Sequence, residues 1–456
     1  MARIVTTDVA SPEPYPDPRR AWYGVGVFAL MLLVLFGNSG IIGLLVDDIK
    51  RDLQLSDVKA SLIIGFAASS LHAVLALPVS RLVDTLSRRL ILGVGLIILG
   101  TSSLATGLAA TFGTLFLARL LGGVGAAGSG PATYSILADY FPPAKLPRAV
   151  SVMNIGTVYG AALALLAGAT LLVALRATPT LSLPLVGTVR SWQVIFMITA
   201  IPDFLLALLM LTTVLEPPRR GRPAAAAAAA AGSTVRPVPV REVFRFLWDG
   251  RAHFGPMFGG LLITSLAAGV LTWTPMFYVR TYGWTPAHYG FLQGIIGLVA
   301  SPLGLLAGGY LAEWFARRGR DDANLRVVAL GATLHLPFSI GMPLMPSPYL
   351  ALTLGAINGF IAFMAAGPQN AALQVLVPNP MRGQVTALFL FIFSMVGLGF
   401  SPTLVALLTN YVFQDESMLR YSMLAISGTL GPLGALVFWL GVRPYGKAFA
   451  RARAWH

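Results

Sequence analysis

Arg119 is the one basic side chain set well inside a long uncharged stretch of this 456-residue chain. A guanidinium is always charged and offers a planar fork of donors, so its chemistry is the recognition of an anion. Asp203 stands in a second such stretch, directly after Pro202. An ionisable group at that depth is costly to keep, and Asp203 is a candidate proton carrier. His72 is another, because imidazole changes charge near neutral pH. Asn38 can hydrogen-bond Arg119 or a solute but cannot neutralise either. Tyr134 and Trp273 offer rings for an apolar or aromatic solute, against the plainer reading that they pack in a core. Asn154, Tyr159, Gln293, Asn358, Gln369 and Asn370 are polar groups in apolar segments and are expected to face a cavity rather than lipid.

The elements that must hold these residues are read from composition. The chain is 56% hydrophobic and only 11% charged, against about 25% charged in a soluble domain. The apolar residues come in blocks long enough to cross about 30 Å of hydrocarbon. Twelve spans are predicted: Trp22–Val46, Ala60–Val79, Leu90–Ala110, Phe112–Leu137, Ala149–Leu175, Trp192–Leu215, Phe254–Tyr278, Tyr289–Ala312, Val327–Met345, Tyr349–Val377, Val385–Val412 and Met418–Val442. Each must be a helix, because lipid leaves no backbone group a partner outside its own segment. Interior prolines such as Pro78, Pro131, Pro202, Pro275, Pro302, Pro368 and Pro402 are expected as kinks. With the N-terminus inside, 24 of the 32 Lys and Arg fall on inner segments and 7 on outer loops, as the positive-inside rule requires. The net charge of +14 therefore reflects topology and contact with anionic lipid, not nucleic-acid binding. No cysteine is present to form a disulfide.

The chain repeats itself. Ser80-Arg-Leu-Val-Asp84-Thr-Leu-Ser-Arg88-Arg89 follows the second span, and Gly309-Tyr-Leu-Ala-Glu313-Trp-Phe-Ala-Arg317-Arg318 follows the eighth. Pro131 and Pro368, and the loop arginines Arg148 and Arg382, recur at nearly the same offset. The expected fold is an all-α membrane protein of twelve transmembrane helices in two pseudo-repeated six-helix halves, both termini cytoplasmic. Its parts are a tail over 1–21, an N-terminal half over 22–215, a linker over 216–252, a C-terminal half over 253–442 and a tail over 443–456. The linker holds an alanine run and then Val240–Trp248, where Val240, Val243, Phe244 and Leu247 make an amphipathic helix suited to the inner leaflet. Asp84 and Arg88 are spaced as a helical i,i+4 ion pair and are expected to gate the inner face, with Glu313 and Arg317 as counterparts.

The loop around Asp84 and Arg88, and Arg119-x-x-x-Gly123-x-Gly125 in the fourth span, resemble the signature motifs of the major facilitator superfamily. Ser80 and Thr85 replace a usual glycine and arginine. Within it, Ile136-Leu-Ala-Asp139-Tyr-Phe and Glu216-Pro-Pro-Arg219 are similar to the spinster-like branch, associated with sphingolipid and lysophospholipid transport. The resemblance implies a secondary active or facilitative transporter of a small, anionic or amphipathic organic solute, working by alternating access. The alternative is uptake of an aromatic or organic acid by a symporter. The branch usually has Asp-Arg where Asn38-Ser39 stands here, and an acid where Ala126 stands. Those changes remove its usual proton site and leave Asp203 as the candidate.

A membrane-embedded enzyme is disfavoured: the chain has no Gly-x-Ser-x-Gly, no His-Glu-x-x-His and no cysteine for a metal site. No cofactor or metal is expected. The expected partners are a small-molecule or lipid-like substrate, membrane lipids and protons, for a monomer in the cell (inner) membrane.

Overall fold

A computed structural model describes residues 15–142, 145–176, 178, 180–184, 186–219 and 239–452. Twelve helical spans cross it: span 1 Pro18–Leu53, span 2 Asp57–Thr85, span 3 Arg88–Gly107, span 4 Phe112–Tyr140, span 5 Leu146–Ala174 and span 6 Ser191–Thr213 in the N-terminal half. Span 7 Arg251–Tyr282, span 8 Pro286–Arg317, span 9 Ala323–Leu344, span 10 Pro348–Leu376, span 11 Met381–Phe413 and span 12 Glu416–Arg451 form the C-terminal half. All twelve predicted spans are present, several running past their apolar cores into polar ends. The alanine run of the linker lies outside the described residues. Twelve crossings bring Pro18 of span 1 and Arg451 of span 12 to one face, the terminal face; the other is the distal face.

Ends are set by ordinary caps. Ser87 accepts from the Leu90 N–H at the start of span 3, and Thr285 accepts from His288 at the start of span 8. Thr111 and Thr114 form a reciprocal capping box on span 4. Prolines act inside the spans as expected. Pro131 cannot bond the Ala127 carbonyl, and span 4 breaks there into Phe112–Ala126 and Ser129–Tyr140. Pro402 likewise brings no N–H to the ladder, and span 11 widens to a π-helical segment over Phe393–Phe400 just before it. Span 2 carries a second π segment over Leu62–Ala67. A two-stranded antiparallel hairpin, β1 Thr180–Leu183 with β2 Gly187–Arg190, precedes span 6 on the distal face.

Packing within each half repeats. Gly123 of span 4 meets the Ala68 carbonyl of span 2, as Gly308 of span 8 meets the Met364 carbonyl of span 10. Gly156 of span 5 meets the Ala29 carbonyl of span 1, as Gly269 of span 7 meets the Ser401 carbonyl of span 11. At each, a methyl group would overlap the facing oxygen, so only glycine lets the backbones touch. The same pairing of second with fourth and first with fifth helix in both halves is the duplication seen in three dimensions.

The halves meet unequally at the two faces. One apolar cluster combines Leu44, Val46 and Ala60 with Trp273, Phe277, Val405 and Met423, and so crosses between halves near the distal face. Toward the terminal face each half has a cluster of its own, around Phe28, Met153 and Met210 in one and Phe254, Leu373 and Tyr445 in the other.

Candidate functional site

Arg119 lies two turns into span 4, only 8% exposed. Span 3 braces it: the Ser102 hydroxyl donates to the Ala118 carbonyl at 2.7 Å. The Arg119 Nε has no hydrogen-bond partner, and no described carboxylate pairs with the guanidinium. A buried, unpaired cation is a costly arrangement, tolerated when something else supplies the negative charge.

Asp203 is fully buried on span 6. Its Oδ2 accepts from Asn38 Nδ2 of span 1 at 3.2 Å and from the Ser103 hydroxyl of span 3 at 3.4 Å; its Oδ1 is unpartnered. Ser102 and Ser103 thus serve opposite neighbours, one beside Arg119 and the other beside Asp203. Asn38 joins the aspartate rather than the arginine.

The other polar candidates do not gather at one point. Asn358 of span 10 is buried with an unpartnered Oδ1. Tyr134 is exposed, Tyr159 and Gln293 are half-buried, and half-buried His72 packs its backbone on Gly123. Asn154 and Asn370 each bond a carbonyl one turn back on their own helix, at 2.9 and 3.2 Å. Gln369 lines a narrow cleft inside the C-terminal half with Phe258, Leu325 and Phe438. Trp273 takes the plainer of its two readings: it is fully buried, and its Nε1 donates to the Pro402 carbonyl at 2.9 Å, so the ring ties span 7 to span 11.

Asp84 and Arg88 also depart from expectation. The helix of span 2 ends at Thr85 and Leu86 is extended (φ −95°, ψ 167°), so Arg88 opens the next helix and no i,i+4 pair forms. Asp84 is exposed; its carbonyl and those of Val83 and Leu86 accept from Arg219. Arg88, 1% exposed, turns inward onto Asp139, onto Glu216 Oε1 at 2.9 Å and onto the Pro217 carbonyl at 2.6 Å. Glu216 also accepts from the Arg89 N–H at 2.7 Å, at the positive end of span 3. Burial alone would raise the Glu216 pKa, but the Arg89 N–H and the Arg88 guanidinium outweigh it and hold the carboxyl below its usual range. Across the repeat, Glu313 and Arg317 do form the helical pair, at 2.6 Å, both exposed.

A charged cluster at the distal face had no sequence expectation. Arg280 of span 7 reaches Asp57 of span 2 with both terminal nitrogens, at 2.8 and 2.9 Å, and Asp47 of span 1 at 3.4 Å. Lys50 of span 1 pairs with Asp57 and, at 2.8 Å, with Glu416 at the start of span 12. Asp57 is fully buried between the two cations. This cluster ties the halves together where the shared apolar cluster lies.

The chain has relatives among known proteins. The profile of the Major Facilitator Superfamily matches residues 27–402. An MFS-type efflux pump of Mycolicibacterium smegmatis is 28% identical over 94% of both chains. The hexuronate transporter of Escherichia coli is 24% identical over 92% of this chain and 93% of that one. In fold, a bacterial homolog to the human lysosomal transporter Spinster, inward-facing and unoccupied, superposes with TM-score 0.77 at 21% identity, covering 95% of this chain and 99% of that one.

Proposed function

Because the chain belongs to the Major Facilitator Superfamily, we propose that it carries a small organic anion across the membrane by alternating access, with Arg119 holding the anionic group. The chain is a multi-pass membrane transporter of small organic solutes, not an enzyme. What goes beyond this rests on one observation: a guanidinium buried in span 4 with an unpartnered Nε and no described counter-ion. A carboxylate or other anionic headgroup would complete its fork and offset its charge. The hexuronate transporters among the relatives are named for an acid, which supports the same choice. An amphipathic, lipid-like anion would use the same contact.

Energy coupling is assigned to Asp203. Its partners Asn38 and Ser103 are neutral, so uptake of a proton removes a buried charge that no described cation pairs with. The bias of Lys and Arg puts the terminal face in the cytoplasm. The cross-half cluster of Arg280, Asp57, Lys50 and Glu416 then closes the outer face, and Asp84 and Glu313 are the groups set to close the inner one.

The test is ligand-induced thermal stabilisation of the purified protein against sugar acids, aromatic acids and lysolipids. An anionic class should stabilise the wild type, Arg119→Lys should weaken the shift, and Arg119→Ala should abolish it. Equal shifts in all three proteins would make Arg119 structural.

A further inference from the structure

The helix Val240–Asp249 leads into span 7 through the single residue Gly250, so it lies at the level where the chain enters the membrane. Its residues sort into four sectors at about 100° per residue. The face expected to meet the leaflet is split: Val243, 4% exposed, and Leu247 turn instead onto the protein, where with the partly buried Phe246 they pack against Phe254 and the terminal-face core of the C-terminal half. Val240, Phe244 and Trp248, at 61%, 57% and 70% exposure, form a second apolar stripe with i,i+4 spacing. Arg241 and Arg245 border that stripe, and Glu242 and Asp249 fall beyond them, farthest from it. Arg251 sits 5.7 Å from the Trp248 ring and donates to the Trp248 carbonyl at 3.2 Å.

We propose that this helix is a surface that binds anionic lipid, with Val240, Phe244 and Trp248 seated in the leaflet and Arg241, Arg245 and Arg251 on the headgroups. The order of sectors carries the inference. Passing round the helix, protein contact is followed by apolar stripe, then arginines, then carboxylates. A membrane presents the same sequence, from hydrocarbon to anionic headgroup to water. Tryptophan beside arginine is the usual anchor at that boundary. Because its inner face grips the end of the C-terminal half near Val377 and Val385, lipid held on the outer face would also bear on the start of span 11.

The chain contains no cysteine, so a single introduced one carries a spin label without background. Phe244→Cys and Glu242→Cys would each be labelled in the full-length protein. Both would be placed in nanodiscs of phosphatidylcholine with and without phosphatidylglycerol, and accessibility to oxygen and to a nickel chelate measured. The label at 244 should be open to oxygen and shielded from nickel, more so with phosphatidylglycerol, while that at 242 stays open to nickel. Arg241→Gln with Arg245→Gln should remove most of the phosphatidylglycerol effect, about fivefold in seated population per arginine. Nickel access at 244 equal to that at 242 in both membranes would overturn the proposal. So would shielding that ignores phosphatidylglycerol, or spin–spin broadening that shows a second copy covering the stripe. None of these readouts depends on transport, so they stand apart from any test of Arg119.

Discussion

Arg88 shows how one side chain holds the terminal end of the N-terminal half together. It joins span 3 to Asp139 at the end of span 4 and to Glu216 beyond span 6. Removing one partner of a buried charge network typically costs about 3–5 kcal/mol, because the remaining charges lose their offset. Arg88→Ala should therefore melt well below wild type in detergent, and Arg88→Lys should recover only part of the loss, lacking the fork that serves two carboxylates. Melting at the wild-type temperature would contradict this. Glu216, held below the usual carboxylate range, adds a pH signature. A depressed folded value stabilises above the unfolded value of about 4.3, and that contribution fades as pH falls through the lower folded value. Glu216→Gln should lower stability at neutral pH and flatten its acid dependence. At Asp203, Asp203→Asn should abolish accumulation driven by a pH gradient in proteoliposomes while leaving exchange of solute intact. A mutant that accumulates as well as wild type would remove Asp203 from the coupling.

Among the elements, the π segments of spans 2 and 11 stand out because they meet. A Cβ on Gly65 would come within 2.5 Å of the Leu398 carbonyl and 2.8 Å of that of Gly399, and Phe66 and Phe400 pack edge to face at 5.2 Å. Gly65→Ala must push backbone against backbone, since no flexible side chain is there to yield. It should loosen the contact between halves, seen as a longer distance between spin labels on spans 2 and 11; an unchanged distance would contradict it. The spans themselves were legible in the sequence because hydrocarbon thickness fixes their length, and Pro131 and Pro402 marked where spans 4 and 11 deform. The inner loop was misread for a physical reason. Asp84 and Arg88 have helical spacing, but Ser87 is a good cap and ends the turn between them. The true partners of Arg88 lie 51 and 128 residues away, and spacing says nothing of such pairs. The motifs around Asp139 and Glu216 were visible, but their shared arginine was not. Arg119 and Asp203 could be found because a charge in an apolar block needs no fold to be conspicuous.

For the whole molecule, the distal cluster and the apolar contacts beside it keep the halves together at one face, while each half has its own core toward the other. Its charges looked like ordinary loop residues in the sequence, since Lys50 and Glu416 are 366 positions apart. Arg280 is the shared member, and Arg280→Gln leaves the buried Asp57 with Lys50 alone. The distal face should open more often in that variant, as a longer distance between spin labels on the distal ends of spans 1 and 7. A distance distribution like that of wild type would show that the apolar contacts suffice. Alternating access round a buried cation predicts that the solute crosses only when Arg119 can hold it. The most direct measurement is uptake of a labelled organic anion, chosen as the ligand that stabilises the wild type, into proteoliposomes of wild type and Arg119→Ala. Saturable uptake by wild type and none by Arg119→Ala, with the variant folded, is the predicted result. Uptake by Arg119→Ala at the wild-type rate and half-saturation would contradict the account.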